Sequence, residues 1–378
     1  MSTPDHERWI RHCLDLAARG AGHVSPNPMV GAVLVHRDGT VLGEGWHQRY
    51  GEAHAEVYAI AEAEQQHGAE ALWAATLYVN LEPCNHHGKT PPCTDLILEK
   101  GIPRVMVGMT DPFPQVAGQG LARLRTHGVE VTVGVLETTC RRFNEAFGHH
   151  IRTGRPLVTL KVAQTLDGSI ATASGDARWV SGMEARQRTH QWRAELDGIL
   201  VGSGTARQDD PALTVRHIEG RQPLRFVLDR EGTLPAHLQL FSDTHRHLTT
   251  VFIGEDAAPS YADALQTAGG RVVRLPETNG HLDLDALLDW LGREGGHDGN
   301  PLQSLLVEAG PGLATALWEQ DLVDRYFVFV APKLIGQGVP MVGNLGFNKM
   351  NEALTFAKHT WETVGDDLLF RGYRRKVG

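Results

Sequence analysis

The chain has no run of about 18 consecutive apolar residues, which excludes a membrane-spanning helix. Its first thirty residues lack the charged start, apolar run and small-residue cleavage site of a secretory leader, so a cytoplasmic protein is expected. It has no basic excess either: 36 Lys and Arg stand against 45 Asp and Glu, a formal net charge of -9. Clustered cations that neutralise phosphate supply most non-specific affinity for nucleic acid, so no nucleic-acid groove is expected. Cysteine is scarce, four in 378 residues, and in a chain of cytosolic character this favours a metal site over disulfides. The G-x-G-x-x-[GA] fingerprint is also missing. Gly202-Ser203-Gly204 runs on into Thr205-Ala206-Arg207, which argues against a standard Rossmann nucleotide site.

What is present begins at His54-Ala55-Glu56 and continues at Pro83-Cys84 and Pro92-Cys93. One imidazole, two thiols and an unspent carboxylate form the inventory of a zinc site that activates water. A structural zinc usually takes four protein ligands; three leave a position for water, whose pKa zinc lowers to about 7. His54, Cys84 and Cys93 are the candidate ligands, and Glu56 is free to carry protons. The other two cysteines, Cys13 and Cys140, read as small core residues. With 20 histidines in the chain, many lie on the surface, and His86 and His87 are open between substrate contact and solvated loop.

On a regular helix, residues i and i+2 point about 200° apart, so His54 and Glu56 can share a site only where a helix is starting. Ala55 to Glu64 is rich in helix formers and supplies that helix. Cys84 follows an apolar strand, Ala75 to Leu81, and Cys93 precedes a helix start at Thr94. The partial positive charge of helix N-termini favours thiolate over thiol. Around these residues, a first amphipathic helix over residues 5–20 is followed by strands at 30–35 and 41–46. Strands at 105–108 and 129–133 flank a helix near 121–126, an alternation that implies an α/β sandwich.

The order H-x-E then P-C…C resembles the zinc nucleoside and nucleobase deaminases, in which the glutamate is not a ligand. The second cysteine falls after eight intervening residues instead of two. That insert, C-N-H-H-G-K-T-P-P-C, is similar to the deaminase half of the bifunctional riboflavin-biosynthesis deaminase/reductases, which carry C-x-H-x-G-[RK]-T-P-P-C. The resemblance implies a cytidine-deaminase-like α/β/α sandwich. It also implies a substrate contact at His47; the amide of Asn27 suits a pyrimidinone edge, His86 is a candidate substrate contact, and Lys89 and Thr90 suit a phosphate. Asn80 stands where relatives often carry threonine, and Phe113 where they often carry asparagine.

The length suits two domains, and a boundary is placed at 147/148, giving a deaminase domain 1–147 and a second domain 148–378. The second half opens with a strand at 156–163 and a turn at 164–171. A helix from Met183 follows, with Ser181 as N-cap and Glu184 completing a capping box, and then a strand at 199–202. The strand 305–308 leads through Ala309-Gly310-Pro311-Gly312 into a helix from Leu313, whose exposed N–H groups suit a pyrophosphate. The pieces K-V-A-Q-T-L-D-G, S-G-D-A-R-W, G-S-G-T-A-R-Q-D-D-P-A-L-T-V-R, V-E-A-G-P and A-P-K-L-I-G resemble the reductase half of the same family, with a dihydrofolate-reductase-like α/β fold.

Carried over by position, that resemblance implies nucleotide contacts at Ala163, Trp179, Thr205, Asp209, Gly310, Pro311, Gly312, Leu313, Ala314, Thr315 and Ala316. Substrate contacts fall at Ala177, Arg193, Leu213, Arg216 and Glu308; relatives often have serine in place of Ala177. The arginine forks suit a sugar phosphate. Lys161 and Asp209 are the candidates for polarising the ribose and steering protons. The implied cofactors are Zn2+ and NADPH, the partners small pyrimidine ribosylphosphates, and the assembly a homo-oligomer. Arg230 is one cation that can meet a 2′-phosphate, although nothing local singles it out. Two rivals stand beside this reading. A nucleic-acid or cytidine deaminase fused to another domain would show a basic face, and a non-catalytic zinc module would have no use for Glu56.

Overall fold

The computed structural model describes residues 3–87, 91–114 and 116–374. It divides into two units, Met1–Gly154 and Arg155–Gly378, so the helix Glu145–Thr153, which spans the expected 147/148 boundary, stays whole in the first.

The first unit runs α1 (Thr3–Ala18), β1 (Gly31–His36), β2 (Val41–Trp46), α2 (Ala55–His67), β3 (Ala75–Leu81), α3 (Cys93–Glu99), β4 (Arg104–Met109), α4 (Gln119–Thr126), β5 (Glu130–Val133), α5 (Glu137–Phe143) and α6 (Glu145–Thr153). Its sheet has the order β2-β1-β3-β4-β5, antiparallel at the first two junctions and parallel at the last two. The period-2 alternation of side chains along each strand makes the two faces. Ala32, Leu34, Leu77, Val79, Val105 and Val107 pack with Ala59 and Ile60 of α2 and Leu121 and Leu124 of α4. Val33, Val35, Tyr78 and Met106 turn the other way, onto Trp9, Ile10, Cys13 and Cys140. Cys13 and Cys140 are thus core residues, and the unit is the expected α/β/α sandwich.

Two glycines bring α2 down onto β2. A Cβ at Gly45 would stand 2.3 Å from the Ala55 carbonyl oxygen, and one at Gly43 would stand 2.3 Å from that of Ala59. The helix backbone therefore lies directly against the strand, and its first turn is held at the sheet edge.

The second unit runs β6 (Leu157–Thr165), β7 (Ser169–Thr172), α7 (Met183–Glu195), β8 (Gly198–Gly202), α8 (Ser203–Asp209), β9 (Leu224–Leu228), α9 (Gln239–Ser242), β10 (Thr249–Ile253), α10 (Pro259–Thr267), β11 (Arg271–Arg274), β12 (Glu277–Thr278), β13 (His281–Leu282), α11 (Leu284–Glu294), β14 (Ser304–Val307), α12 (Pro311–Glu319), β15 (Arg325–Ala331), β16 (Gly338–Pro340), β17 (Phe356–Val364) and β18 (Asp367–Arg374). Nine strands form one sheet, β11-β10-β9-β8-β14-β6-β15-β18-β17. The seven from β11 to β15 are parallel, and β18 and β17 close one edge as an antiparallel pair. Its two faces bury separate cores, one around Ile199, Val201, Val227 and Phe329, the other around Val158, Leu160, Leu200 and Val307. Near-continuous apolar runs such as Ile199-Leu200-Val201 reflect a parallel sheet covered on both sides.

Three local expectations differ from the structure. Gly182, not Ser181, is the N-cap of α7, and its N–H is taken at 2.8 Å by the distant carboxylate of Asp367, so no capping box is needed. Strand β6 continues through Gln164 and Thr165, because pairing with β15 extends to Thr165↔Ala331. Helix α12 starts at Pro311, two residues early, since proline at the first helical position loses no hydrogen bond.

Candidate active sites

His54 is the N-cap of α2, with an extended backbone (φ -79°, ψ 165°), while Glu56 lies in the first helical turn. This change of backbone between them lets i and i+2 meet at one site. Cys84 follows β3, and Cys93 is the first residue of α3. The Nδ1 atom of His54 lies 3.5 Å from the Cys84 sulfur and 3.3 Å from that of Cys93, and all three donor atoms fall within 4.8 Å of one another. In a tetrahedral zinc site with ordinary bond lengths, nitrogen and sulfur ligands are about 3.5 Å apart. The donor set therefore fits zinc in kind and in spacing.

The two sulfurs differ electrostatically: the hydrogen bond with Cys84, and then burial, raise the Cys93 thiol above its ordinary range. The Cys84 thiol is drawn down to about 4, first by the hydrogen bond from the Cys93 thiol and further by His54 and the Cys93 backbone N–H. The Cys93 N–H donates to the Cys84 sulfur at 3.3 Å. Glu56 is 3% exposed, and burial raises its carboxyl above the ordinary carboxylate range. Its Oε2 has no hydrogen-bond partner among the described residues. A buried, unpaired carboxylate oxygen beside a ligand cluster is a costly arrangement unless a polar group completes it.

Around this centre, Asn27 and His47 come together, with Asn27 Nδ2 at 3.1 Å from His47 Nε2. The other ring nitrogen, Nδ1, donates to the Ala53 carbonyl at 3.0 Å, and the ring is 2% exposed. Both nitrogens of His47 are thus engaged inside the protein, by Asn27 and by the Ala53 carbonyl. His86 is exposed. Lys89 and Thr90 lie outside the described residues.

Two further residues have their place explained by geometry. Asn80 is fully buried; its Oδ1 accepts from Gly31 N at 2.8 Å and its Nδ2 donates to Met29 O at 3.0 Å. Asn144 holds the same residue from the other side, accepting from Met29 N and donating to Met29 O, both at 2.9 Å. The segment that carries Asn27 is thus clamped by two amides. Glu82, which the motif reading passed over, accepts from the N–H groups of Asp111 (3.1 Å), Gly118 (2.9 Å) and Gly120 (3.1 Å), tying the 111–120 loop to the end of β3. Its signal was a carboxylate at a strand end, directly before Pro83.

In the second unit, a cavity of about 1880 Å³ opens over the sheet and gathers Lys161, Ala163, Ala177, Trp179, Arg193, Thr205, Asp209, Leu213, Arg216, Glu308, Gly310, Pro311, Gly312, Leu313, Thr315 and Ala316. Of the expected reductase residues only Ala314 is absent; it is fully buried in the core, on the inner face of α12. The neighbouring parallel strands β8 and β14 deliver the N-termini of α8 and α12 to the same end of the sheet. A Cβ at Gly204 or Gly312 would meet nothing within 4 Å, so backbone N–H groups there are open to a phosphate. This cradle fits a dinucleotide. Arg230 lines the cavity too, but its guanidinium is taken by Glu231 (2.6 Å) and Glu277 (3.3 Å). Thr315 is also engaged, its Oγ1 donating to Pro311 O and accepting from Gly343 N, both at 2.7 Å.

The cations at the far side of the cavity are unequal. Arg193 gives Nε and Nη2 to the two oxygens of Glu308 (2.7 and 3.0 Å) and Nη1 to Thr214 O (3.2 Å), so its fork is fully used. Lys161 stands 3.9 Å from Glu308, and burial lowers its ammonium below the ordinary lysine range. Burial works against the Glu308 carboxylate, yet Arg193 and Lys161 hold it down at about 2. Among the described residues the Arg216 guanidinium makes one long contact, 3.4 Å to Thr214 Oγ1. Asp209 ends α8; its backbone carbonyl accepts from Arg178, and burial raises its carboxyl.

Fold and sites together define a bifunctional enzyme, a zinc-binding deaminase domain joined to a nucleotide-dependent reductase domain. Residues 3–109 match the cytidine and deoxycytidylate deaminase zinc-binding region, and residues 156–370 match the RibD C-terminal domain. The chain is 38% identical to riboflavin biosynthesis protein RibD of Actinobacillus pleuropneumoniae, over 96% of this chain and 93% of that one. Among solved structures it is similar to Acinetobacter baumannii RibD (TM-score 0.86, 33% identity, 99% of this chain and 100% of that one). It is also similar to the Thermotoga maritima diaminohydroxyphosphoribosylaminopyrimidine deaminase/5-amino-6-(5-phosphoribosylamino)uracil reductase (TM-score 0.85, 35% identity, 99% of each chain). The chain belongs to the RibD family, the zinc- and NADPH-using deaminase/reductases of riboflavin biosynthesis. Among the described residues no helix is long and apolar enough to cross a membrane.

Proposed function

We propose that the first unit hydrolyses the 2-amino group of 2,5-diamino-6-ribosylamino-4(3H)-pyrimidinone 5′-phosphate, and that the second reduces its ribosyl group to ribityl, giving 5-amino-6-ribitylaminouracil 5′-phosphate. The observation that carries the reading is the buried Oε2 of Glu56, unpartnered beside three ligands whose spacing suits zinc. Zinc held by His54, Cys84 and Cys93 supplies Lewis acidity that makes water a nucleophile at neutral pH. Glu56 would move both protons of the hydrolysis, one from the attacking water to the ring nitrogen next to C2 and the second from the newly attached hydroxyl to the leaving amine, so that one water is consumed and one ammonia released. Asn27, oriented by His47, receives the pyrimidinone edge. His86, Lys89 and Thr90 stand for the rest of the substrate.

In the second unit, the turns at the starts of α8 and α12 would hold NADPH, which would supply hydride for C1′ of the opened ribose. Ala163, Trp179, Thr205, Asp209 and the 310–316 turn, without Ala314, take the dinucleotide. Arg216 takes the substrate phosphate, since its guanidinium is the uncommitted one. Lys161, kept beside Glu308, polarises the ribose oxygen, while Ala177 and Leu213 shape the wall. The enzyme works in the cytoplasm as a homo-oligomer. The test is a coupled assay that follows ammonia release and NADPH oxidation separately, with Glu56→Ala and a chelated sample alongside. Ammonia that depends on Glu56 and zinc, followed by NADPH loss, is the expected result, and neither signal would sink the reading.

A further inference from the structure

The segment that presents Arg216 has an unusual backbone. Leu213 (φ 50°) and His217 (φ 68°) are both in the left-handed region, where non-glycine residues are uncommon and need support from their surroundings. The support can be traced group by group. Thr214 O accepts from Arg193 Nη1 at 3.2 Å. Val215 N donates to Gln222 Oε1 at 2.8 Å, and Val215 O accepts from Gln222 Nε2 at 3.2 Å. Arg216 N donates to Nδ1 of His190 at 3.0 Å. His190 is 6% exposed, lies one turn before Arg193 on α7, and packs edge-on against His217 with ring centroids 5.2 Å apart.

Helix α7 thus grips the segment at two points with two residues on one face, His190 and Arg193, at the i, i+3 spacing that makes helical neighbours. Arg193 is tied to Glu308 and holds a carbonyl, whereas His190 holds the N–H of Arg216, whose guanidinium makes only the long contact to Thr214 Oγ1 among the described residues. We propose that His190 is a positioning residue for the reductase, an imidazole acceptor that holds the Arg216 backbone so that its guanidinium meets the substrate phosphate. The proposal rests on the assignment of Arg216 to that phosphate.

The protonation state suits the role. Burial, with Arg193 and Arg216 close by, brings His190 down to about 4, so at neutral pH the ring is uncharged and Nδ1 keeps its lone pair. A protonated ring would present N–H against N–H. Removing the acceptor takes the partner from the part-buried Arg216 N–H, which lets the segment relax.

The experiment measures kcat and KM for NADPH-dependent reduction of the deaminated ribosylphosphate by full-length His190→Leu, His190→Asn, Arg216→Ala and the His190→Leu/Arg216→Ala double variant, with thermal melts alongside. Asparagine places Oδ1 near the position of Nδ1, while leucine fills the volume without an acceptor. We expect His190→Leu to raise KM about 10-fold with kcat little changed, and His190→Asn to stay close to wild type. The double variant should match Arg216→Ala alone, since His190 acts through Arg216. A packing role would reverse the order, with leucine tolerated and asparagine poor, and that result overturns the proposal, as does additivity in the double variant. An unchanged KM in Arg216→Ala would overturn the phosphate assignment itself. A raised KM there with wild-type behaviour in His190→Leu would overturn only the role of His190.

Discussion

Asn27 donates from Nδ2 to Nε2 of His47 at 3.1 Å, and the opposite ring nitrogen faces the Ala53 carbonyl at 3.0 Å. A carbonyl can only accept, so Nδ1 carries the proton and Nε2 accepts, which in turn fixes the amide of Asn27 with Oδ1 outward. Burial lowers the His47 pKa and keeps this neutral form. An amide oxygen can only accept, so in the proposed contact Asn27 would meet a donor edge, such as a ring N–H or amino group. His47→Phe frees the amide to flip, and KM for ammonia release is expected to rise about 10-fold, the scale of one misplaced hydrogen bond. Steady-state ammonia kinetics check this; an unchanged KM would show that Asn27 does not need His47.

The glycine at position 45 tests how the helix start is placed. A Cβ there would meet Ala55 O at 2.3 Å and Ala59 N at 2.6 Å, both backbone atoms of α2 that cannot rotate away. Gly45→Ala must push the helix from the sheet and carry His54 and Glu56 with it. Overpacking of this kind costs about 1–3 kcal/mol, and a displaced proton carrier loses much of its rate. Ammonia release should fall by at least about 10-fold. Ammonia release at the wild-type rate would mean that α2 adjusts without moving the site.

Chelation separates the two halves. The first unit has its own cores, and its ligand atoms, two sulfurs and an imidazole nitrogen, lie within 4.8 Å of one another next to the buried Glu56. Ammonia release is expected to vanish and to return with added zinc, while reduction of separately supplied deaminated substrate continues. The thermal transition of the first unit should also move down, because metal binding stabilises only the folded ligand set. Calorimetry with and without chelator reads that shift, and an unmoved transition would argue against a metal at these residues.

Much of this was legible because it is local. The step from His54 off the helix to Glu56 on it follows from helix geometry, and both sandwich faces follow from the alternation in Ala32 to Val35. What stayed hidden depends on partners far along the chain. Gly182 is capped by Asp367, and Asn80 and Asn144 meet at Met29 across 115 residues of sequence in the longer case. The division of labour between Arg193 and Arg216 was invisible for the same reason. Both are arginines at family positions, and only the tertiary structure shows that Glu308 occupies one of them. Ala314 was carried along with a continuous turn, though helical periodicity, with α12 starting at Pro311, turns it inward.

That occupied fork gives a pH-dependent prediction. Glu308 sits at about 2 in the folded enzyme against an ordinary value of 4.5. As pH falls, the unfolded chain takes up this proton first, so the stability contributed by the carboxylate is complete above 4.5 and is lost as pH drops from there through about 2. Glu308→Gln removes that dependence, and at neutral pH it leaves Arg193 and Lys161 facing a neutral amide. Breaking a buried ion pair on one side costs about 3–5 kcal/mol. Denaturant unfolding of the second unit, followed at pH 7 and at steps down to pH 3, should show the wild type losing stability across the acid window. The variant should start lower and decline less steeply. Parallel slopes for the two proteins would mean that Glu308 titrates normally and that its pairing with Arg193 contributes little to the fold.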